Sequence, residues 1–440
     1  MLTSVSCERA GLFDSIFEGY DGSPFCVRLW DGWCWNSSAN DHPHCTLVIH
    51  SSAALEAMLL RPSEITLGEA FLANEIDVEG DIFSVFAIAE FIFHRPGGRR
   101  ERMLEAARQA VFGFATWWRK GKRHSEARDR AAISHHYDQP VDFYRPWLGE
   151  SLVYSCGYFR SADDTLAAAQ ENKLDLICRK LRLSPDDRFL DIGCGWGSLV
   201  LHAVARHNVY ARGITISREQ TAVAASRIEA ARMTQSCGVE LLDYRQALDR
   251  LGVFDKIASV GMFEHVGLKK LPEYFRTVYA MLRPGGVFLN HGIAHADGTA
   301  DRNSRLFRAR FPILRRTTLL RSLHGPSFID RYVFPDGELV TISEAMRAAE
   351  AAGFEVRDLE DLREHYELTL RAWVEALMKN SAALLKQVSE VTYRTWLLYM
   401  AGCAAAFHRG DIAVYQMLLI RPGGESGLPL TREDWYLAGA

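Results

Sequence analysis

Nine residues, LDIGCGWGS at 190–198, constrain this chain more than any other stretch. They overlap the apolar run RFLDIG (188–193), which reads as a strand, and lead into a helical pattern. Glycines at 193, 195 and 197 remove the side chains that would block a close ligand. The helix that follows presents backbone N–H groups with no partner inside the helix. A tight turn that served packing alone would need neither three glycines nor the acid Asp191 at the strand end.

Dinucleotide folds use a similar loop, but with Gly-x-Gly-x-x-Gly spacing and a carboxylate about 20 residues on for the ribose hydroxyls. Here the spacing is Gly-x-Gly-x-Gly, and the second strand, VYARGITIS (209–217), ends in Thr215-Ile216-Ser217 without a carboxylate. A NAD oxidoreductase is therefore disfavoured. Asp191 reads instead as the acid a methyltransferase places near the methionine end of its cofactor.

A helix runs on from the second strand through Arg232, and DKIASVG (255–261) and GVFLNHGI (286–293) read as a third and fourth strand. Short strands separated by helices predict an α/β fold: a Rossmann-like parallel sheet with helical cover. Ligands in such sheets lie beyond the carboxyl ends of the strands. That puts Glu264 and His265 just past the third strand, and His291 near the end of the fourth, at the ligand edge. Residues 374–410 read as one long helical region ending at Gly410, and IAVYQMLLIR (412–421) as a final strand.

The 440 residues suit two domains. Residues 1–125 read as a small α/β domain, with strands at 25–30 and 45–50, Asp-Gly turns at 21 and 31, and a helix at 51–60. The basic run Arg119, Lys120, Lys122, Arg123 marks the linker to a second domain, 126–440. A net charge of −4 argues against a nucleic-acid partner. Nine scattered cysteines with no CxxC pair predict free thiols in a reducing compartment, no disulfide framework and no metal. The N-terminal residues carry Glu8 and Asp14 and read as no signal peptide. Nowhere do about 18 apolar residues run together, so a cytoplasmic protein with peripheral membrane contact is expected. Arginines at 302, 305, 308, 310, 315, 316, 321 and 331 alternate with apolar residues, which suits anionic lipid headgroups as well as an ordinary charged surface.

The strings HHYDQPVDFY (135–144), YSCGYF (154–159), LDIGCGWGS, GITIS with Gln220, LLDYR (241–245), SVGMFEHVG (259–267), RYVFPDGEL (331–339), LREHYELTLRAW (362–373) and YMAGCAAAFHRGDIAVYQ (399–416) occur in one order. Together they make residues 135–421 resemble the cyclopropane-fatty-acyl-phospholipid synthases, the family that includes the mycolic-acid cyclopropane synthases. The first domain resembles, more loosely, the extra lipid-associated domain of the bacterial phospholipid branch. The resemblance implies an S-adenosylmethionine site at Tyr154, Ser155, Asp191, Gly193, Cys194, Gly195, Gly197, Thr215, Ser217, Gln220, Asp243, Tyr244 and Val260. It implies a bicarbonate ion, acting as base, caged by Cys156, Glu264, His291, the backbone of Ile293, and Tyr366. Cys403 matches a cysteine once assigned to catalysis in the family. Alkene methylation needs no covalent thiol, so Cys403 is expected to line the pocket without being essential. His265, Glu364 and His365 are expected to stand behind the cage.

The function so implied is methylene transfer to the cis double bond of an unsaturated phospholipid, by a homodimer at the membrane surface. Two alternatives use other chemistry: a same-scaffold enzyme making methyl- or methylene-branched chains or methylating an amine, and a non-catalytic lipid-binding protein. A complete cage favours ring closure, and an intact glycine loop argues against a decayed enzyme.

Overall fold

The computed structural model describes residues 2–60, 63–94, 139–295, 328–333 and 338–436. They fall into two compact units. One takes the described residues up to 94 together with 328–333 and 388–405; the other takes 139–295, 338–387 and 406–436.

The smaller unit carries a sheet in the order β2 (Cys34–Asn36), β1 (Phe25–Leu29), β3 (Cys45–Ile49), β4 (Ile76–Gly80). Phe13, Phe17, Phe25 and Trp35 pack as one aromatic cluster under it, with ring centroids 4.9–6.5 Å apart. A contiguous boundary near residue 125 does not capture this unit, because buried polar contacts draw in two later stretches. The Arg394 guanidinium lies 4.2 Å over the Phe71 ring and donates to the carbonyls of Phe71 (2.7 Å) and Ile76 (3.1 Å). Phe328 N–H donates to Glu64, and the Tyr332 hydroxyl donates to Glu69 at 2.8 Å.

The larger unit is built on a seven-stranded sheet, numbered in chain order: β5 (Arg188–Ile192), β6 (Tyr210–Thr215), β7 (Cys237–Leu241), β8 (Phe254–Val260), β9 (Leu282–His295), β10 (Glu355–Asp361) and β11 (Ile412–Ile420). The spatial order is β10-β11-β9-β8-β5-β6-β7. β5 to β9 pair in parallel, and β11 runs against both its neighbours. The inner strands are apolar on both faces because helices cover both. The edge strand β10 (EVRDLED) is largely exposed or half-buried.

The stretch 374–410 is helical, as expected, and is made of more than one helix. It divides into Arg363–Lys379, a short turn of helix at Ser381–Leu384, and Glu390–Arg409. Asn380, whose side-chain amide bonds back to Ala376 O at 2.8 Å, sits at the first break. The basic run 119–123 and the arginines from 302 to 321 lie outside the described residues.

Candidate active site

β5 sits where the strand order reverses, with β6 on one side and β8 on the other. Chain connections diverge there and leave a crevice at the carboxyl edge. The glycine loop fills its floor. Gly193 and Cys194 N–H both donate to Ile214 O of β6, at 2.9 and 3.0 Å. Gly193 needs its positive φ of 79°, and a Cβ there would press on Met262 at 3.0 Å. Above the loop opens a cavity of about 1280 Å³, solvent at its mouth included.

Of the residues that the resemblance assigns to the cofactor, Tyr154, Ser155, Asp191, Gly193, Cys194, Gly195, Thr215, Gln220, Asp243, Tyr244 and Val260 line this cavity. Gly197 and Ser217 do not. Each is spent on starting a helix: Gly197, at φ 82°, caps Ser198–His207, and the Ser217 hydroxyl accepts from Gln220 N–H at 3.3 Å. The walls are pre-set by internal pairs. Thr215 donates to Gln220 at 2.7 Å, and Arg245 grips Asp243 with two bonds of 2.9 and 2.6 Å.

Asp191 lies at the back of the cavity, 3 % exposed, and its Oδ1 has no hydrogen-bond partner. Burial pushes its carboxyl up to about 7, with Lys173 opposing. Lys173 is also buried, donates to Ser155 Oγ at 2.8 Å, and is pulled down to about 8 by desolvation. Sequence reasoning passed over this lysine. Its signal is position: in LAAAQENKLDLICRKL, Lys173 falls on the same helical face as Ala169, Leu176 and Ile177, all fully buried. Arg245, Met262 and Lys270 also line the cavity and were not assigned to the cofactor, and His265, expected to stand behind the cage, is on this wall instead.

None of the five expected cage groups is on the wall of this cavity. Glu264 Oε1 accepts Ile293 N–H at 2.7 Å. Its other oxygen is buried without a partner, and burial raises the carboxyl to about 7. His291 lies two residues before Ile293 on β9, so both side chains share a face. His291 Nε2 is likewise buried and unpartnered. Desolvation, with Lys173 and Lys180 nearby, lowers His291 to about 3, so it is neutral at any working pH. Cys156 Sγ lies 3.8 Å from Leu362 O, which also accepts Tyr366 N–H at 3.1 Å. Leu362 N–H in turn bonds Val414 O, and Val414 pairs with Ile293. Hydrogen bonds therefore link Cys156 and Tyr366 through Leu362, and the strand pair β9–β11 sets Val414, which bonds Leu362, opposite Ile293, which bonds Glu264. Burial raises the Cys156 thiol far above its usual value, so it stays protonated.

His365 Nδ1 accepts Phe159 N–H at 3.1 Å, and its ring stacks 4.7 Å from Tyr158. Glu364 instead pairs outward with Arg363. Cys403 is not on the cavity wall. It falls in the stretch 388–405, which the buried Arg394 ties to the smaller unit.

Sheet order, glycine loop and a buried acid beneath an open cavity define an S-adenosylmethionine-dependent methyltransferase. The sequence profile for mycolic acid cyclopropane synthetase matches residues 124–417, and a domain of unknown function, DUF7884, matches 12–91. A probable fatty acid methyltransferase of Pseudomonas putida is 38% identical over 94% of this chain and 96% of its own. The cyclopropane-fatty-acyl-phospholipid synthase of Escherichia coli K12 is 35% identical over 70% and 72%. The solved mycolic acid cyclopropane synthase CmaA1, complexed with SAH and CTAB, superposes with a TM-score of 0.58 at 31% identity, covering 66% of this chain and 98% of that one. The chain belongs to the mycolic acid cyclopropane synthetase family.

Proposed function

We propose that the enzyme transfers a methylene from S-adenosylmethionine to the cis double bond of an unsaturated phospholipid acyl chain, closing a cyclopropane ring. A bound bicarbonate is the base. The observation that carries this reading is the pair of buried, unpartnered polar atoms, Glu264 Oε2 and His291 Nε2. Buried polar atoms are nearly always satisfied. A small anion that both donates and accepts hydrogen bonds suits this pair.

S-adenosylmethionine supplies an electrophilic methyl on a sulfonium, and bicarbonate supplies a base for a proton of that methyl. The chain supplies the rest. Asp191, with its free oxygen, answers the cofactor's ammonium, and Lys173 on Ser155 supplies the opposite charge. An alkene is a poor nucleophile, and its attack leaves a cation, so water must be excluded. The cluster of Tyr144, Trp147, Tyr154, Trp196 and Trp373, with centroids 4.9–5.8 Å apart along its chain of contacts, does this and offers π faces to positive charge. His291, held neutral, adds no competing positive charge. Cys156, held as a thiol, is a hydrogen-bond donor and no nucleophile.

Among the described residues no helix is long and apolar enough to cross a membrane, and we place the lipid substrate at a bilayer surface that the enzyme meets from outside. The name of the P. putida relative favours a second reading, a methyl-branched fatty acyl product. Incubation with unsaturated phospholipid vesicles and labelled S-adenosylmethionine separates the two by lipid mass read before and after catalytic hydrogenation, which adds two hydrogens to a remaining double bond. Ring closure adds one CH2, removes the double bond and needs no reductant. A product that keeps a double bond, or forms only with added reductant, contradicts ring closure.

A further inference from the structure

Two lysines a heptad apart, Lys173 and Lys180, share the buried face of the helix Leu166–Leu181. The first belongs to the cofactor cavity. The second has no part in the mechanism above, yet it is fully buried. Lys180 Nζ pairs with Glu360 and lies 3.9 Å from Asp358, both on β10. Arg432 also pairs with Asp358, and the Trp435 ring lies 5.8 Å from Lys180 Nζ. A charge so enclosed is costly unless something uses it.

Its third contact is Gln416 Oε1, at 2.8 Å. An ammonium can only donate, so this bond fixes which end of the Gln416 amide faces Lys180. The amide nitrogen is then turned toward His291 Nδ1, 3.2 Å away across the β9–β11 pair in which the two residues stand opposite each other. An amide N–H can only donate as well. His291 Nδ1 must therefore carry the lone pair, and the ring proton of the neutral imidazole sits on Nε2, the buried atom without a partner.

We propose that Lys180 and Gln416 are positioning residues that set the tautomer of His291, so that Nε2–H is presented as a donor to the anion of the cage. This rests on the functional reading above. Without the relay the imidazole is free to carry its proton on Nδ1, and the Nε2 lone pair then faces the anion.

The test is imidazole nitrogen NMR on the full-length protein labelled at its 15 histidines, with His291 assigned by its loss in His291→Asn. The expected result is a neutral ring protonated at Nε2. In Gln416→Glu, which keeps size but accepts instead of donating, the proton should move to Nδ1. Lys180→Met should leave a mixture of tautomers. In parallel, the bicarbonate concentration for half-maximal rate in Gln416→Glu should rise on the order of tenfold, the worth of one charged hydrogen bond, with the KM for S-adenosylmethionine unchanged. A wild-type ring protonated at Nδ1, or a tautomer unmoved by Gln416→Glu, overturns the proposal. If the tautomer behaves as stated but bicarbonate has no effect on rate, the relay stands and the bicarbonate reading fails.

Discussion

The cofactor cavity and the proposed cage differ in how many groups a ligand would meet. In the cavity Thr215 is paired with Gln220 and Asp243 with Arg245, the floor is glycine backbone, and the buried atoms without a partner are Asp191 Oδ1 and Trp196 Nε1. Under the proposed function a large ligand is held there by many contacts, shape and exposed backbone groups included. In the cage the buried atoms without a partner are Glu264 Oε2 and His291 Nε2, and a small anion would meet few groups besides them. Loss of one polar group is shared among many contacts in the cavity and among few in the cage. The difference predicts a graded set of substitution effects.

The largest effect belongs to Glu264→Gln. Product formation should fall by about 100-fold, the upper worth of a hydrogen bond to a charged group, while S-adenosylhomocysteine affinity measured by calorimetry stays the same. Loss of cofactor affinity in this variant would merge the two regions. The same variant should change acid stability. Glu264 sits near 7 when folded against a usual 4.5, so the folded chain holds more protons between those values. Stability therefore falls as pH rises from about 4.5 to about 7, and denaturant titrations of Glu264→Gln should show a shallower fall. Asp191, also raised to about 7 by burial, should supply what slope remains.

Next comes the cavity floor. Gly193→Ala forces a side chain at φ 79° and against Met262, costing about 1–2 kcal/mol. Cofactor affinity should weaken about tenfold with the bicarbonate response intact. Cys156→Ser keeps a small hydrogen-bond donor and should retain activity within about fivefold. Smallest is Cys403→Ser, with activity within about twofold by the lipid-mass assay. Near-total loss there would show that a thiol outside the cavity wall is needed after all.

The parts of this molecule legible in the sequence were those governed by local pattern. β5, β6, β8, β9 and β11 are apolar because helices or other strands cover them, and that burial writes a readable run. The edge strands β7 and β10 carry no such run, since each buries only one residue fully, and only pairing makes them strands. The glycine loop was readable because a positive φ selects glycine. The buried lysines were not, although their heptad spacing on an apolar face marks them, because lysine is ordinarily read as surface. The split of Cys403 from the cavity was also hidden. It follows from Arg394 bonding residues more than three hundred positions away in the chain.

The most direct measurement is a crystal structure of the enzyme with S-adenosylhomocysteine, grown in bicarbonate. The account predicts planar density of three oxygens in the cage, with one oxygen on His291 Nε2 and another on the free oxygen of Glu264. A cage filled by water alone, or with Glu264 and His291 turned to separate partners, would contradict it.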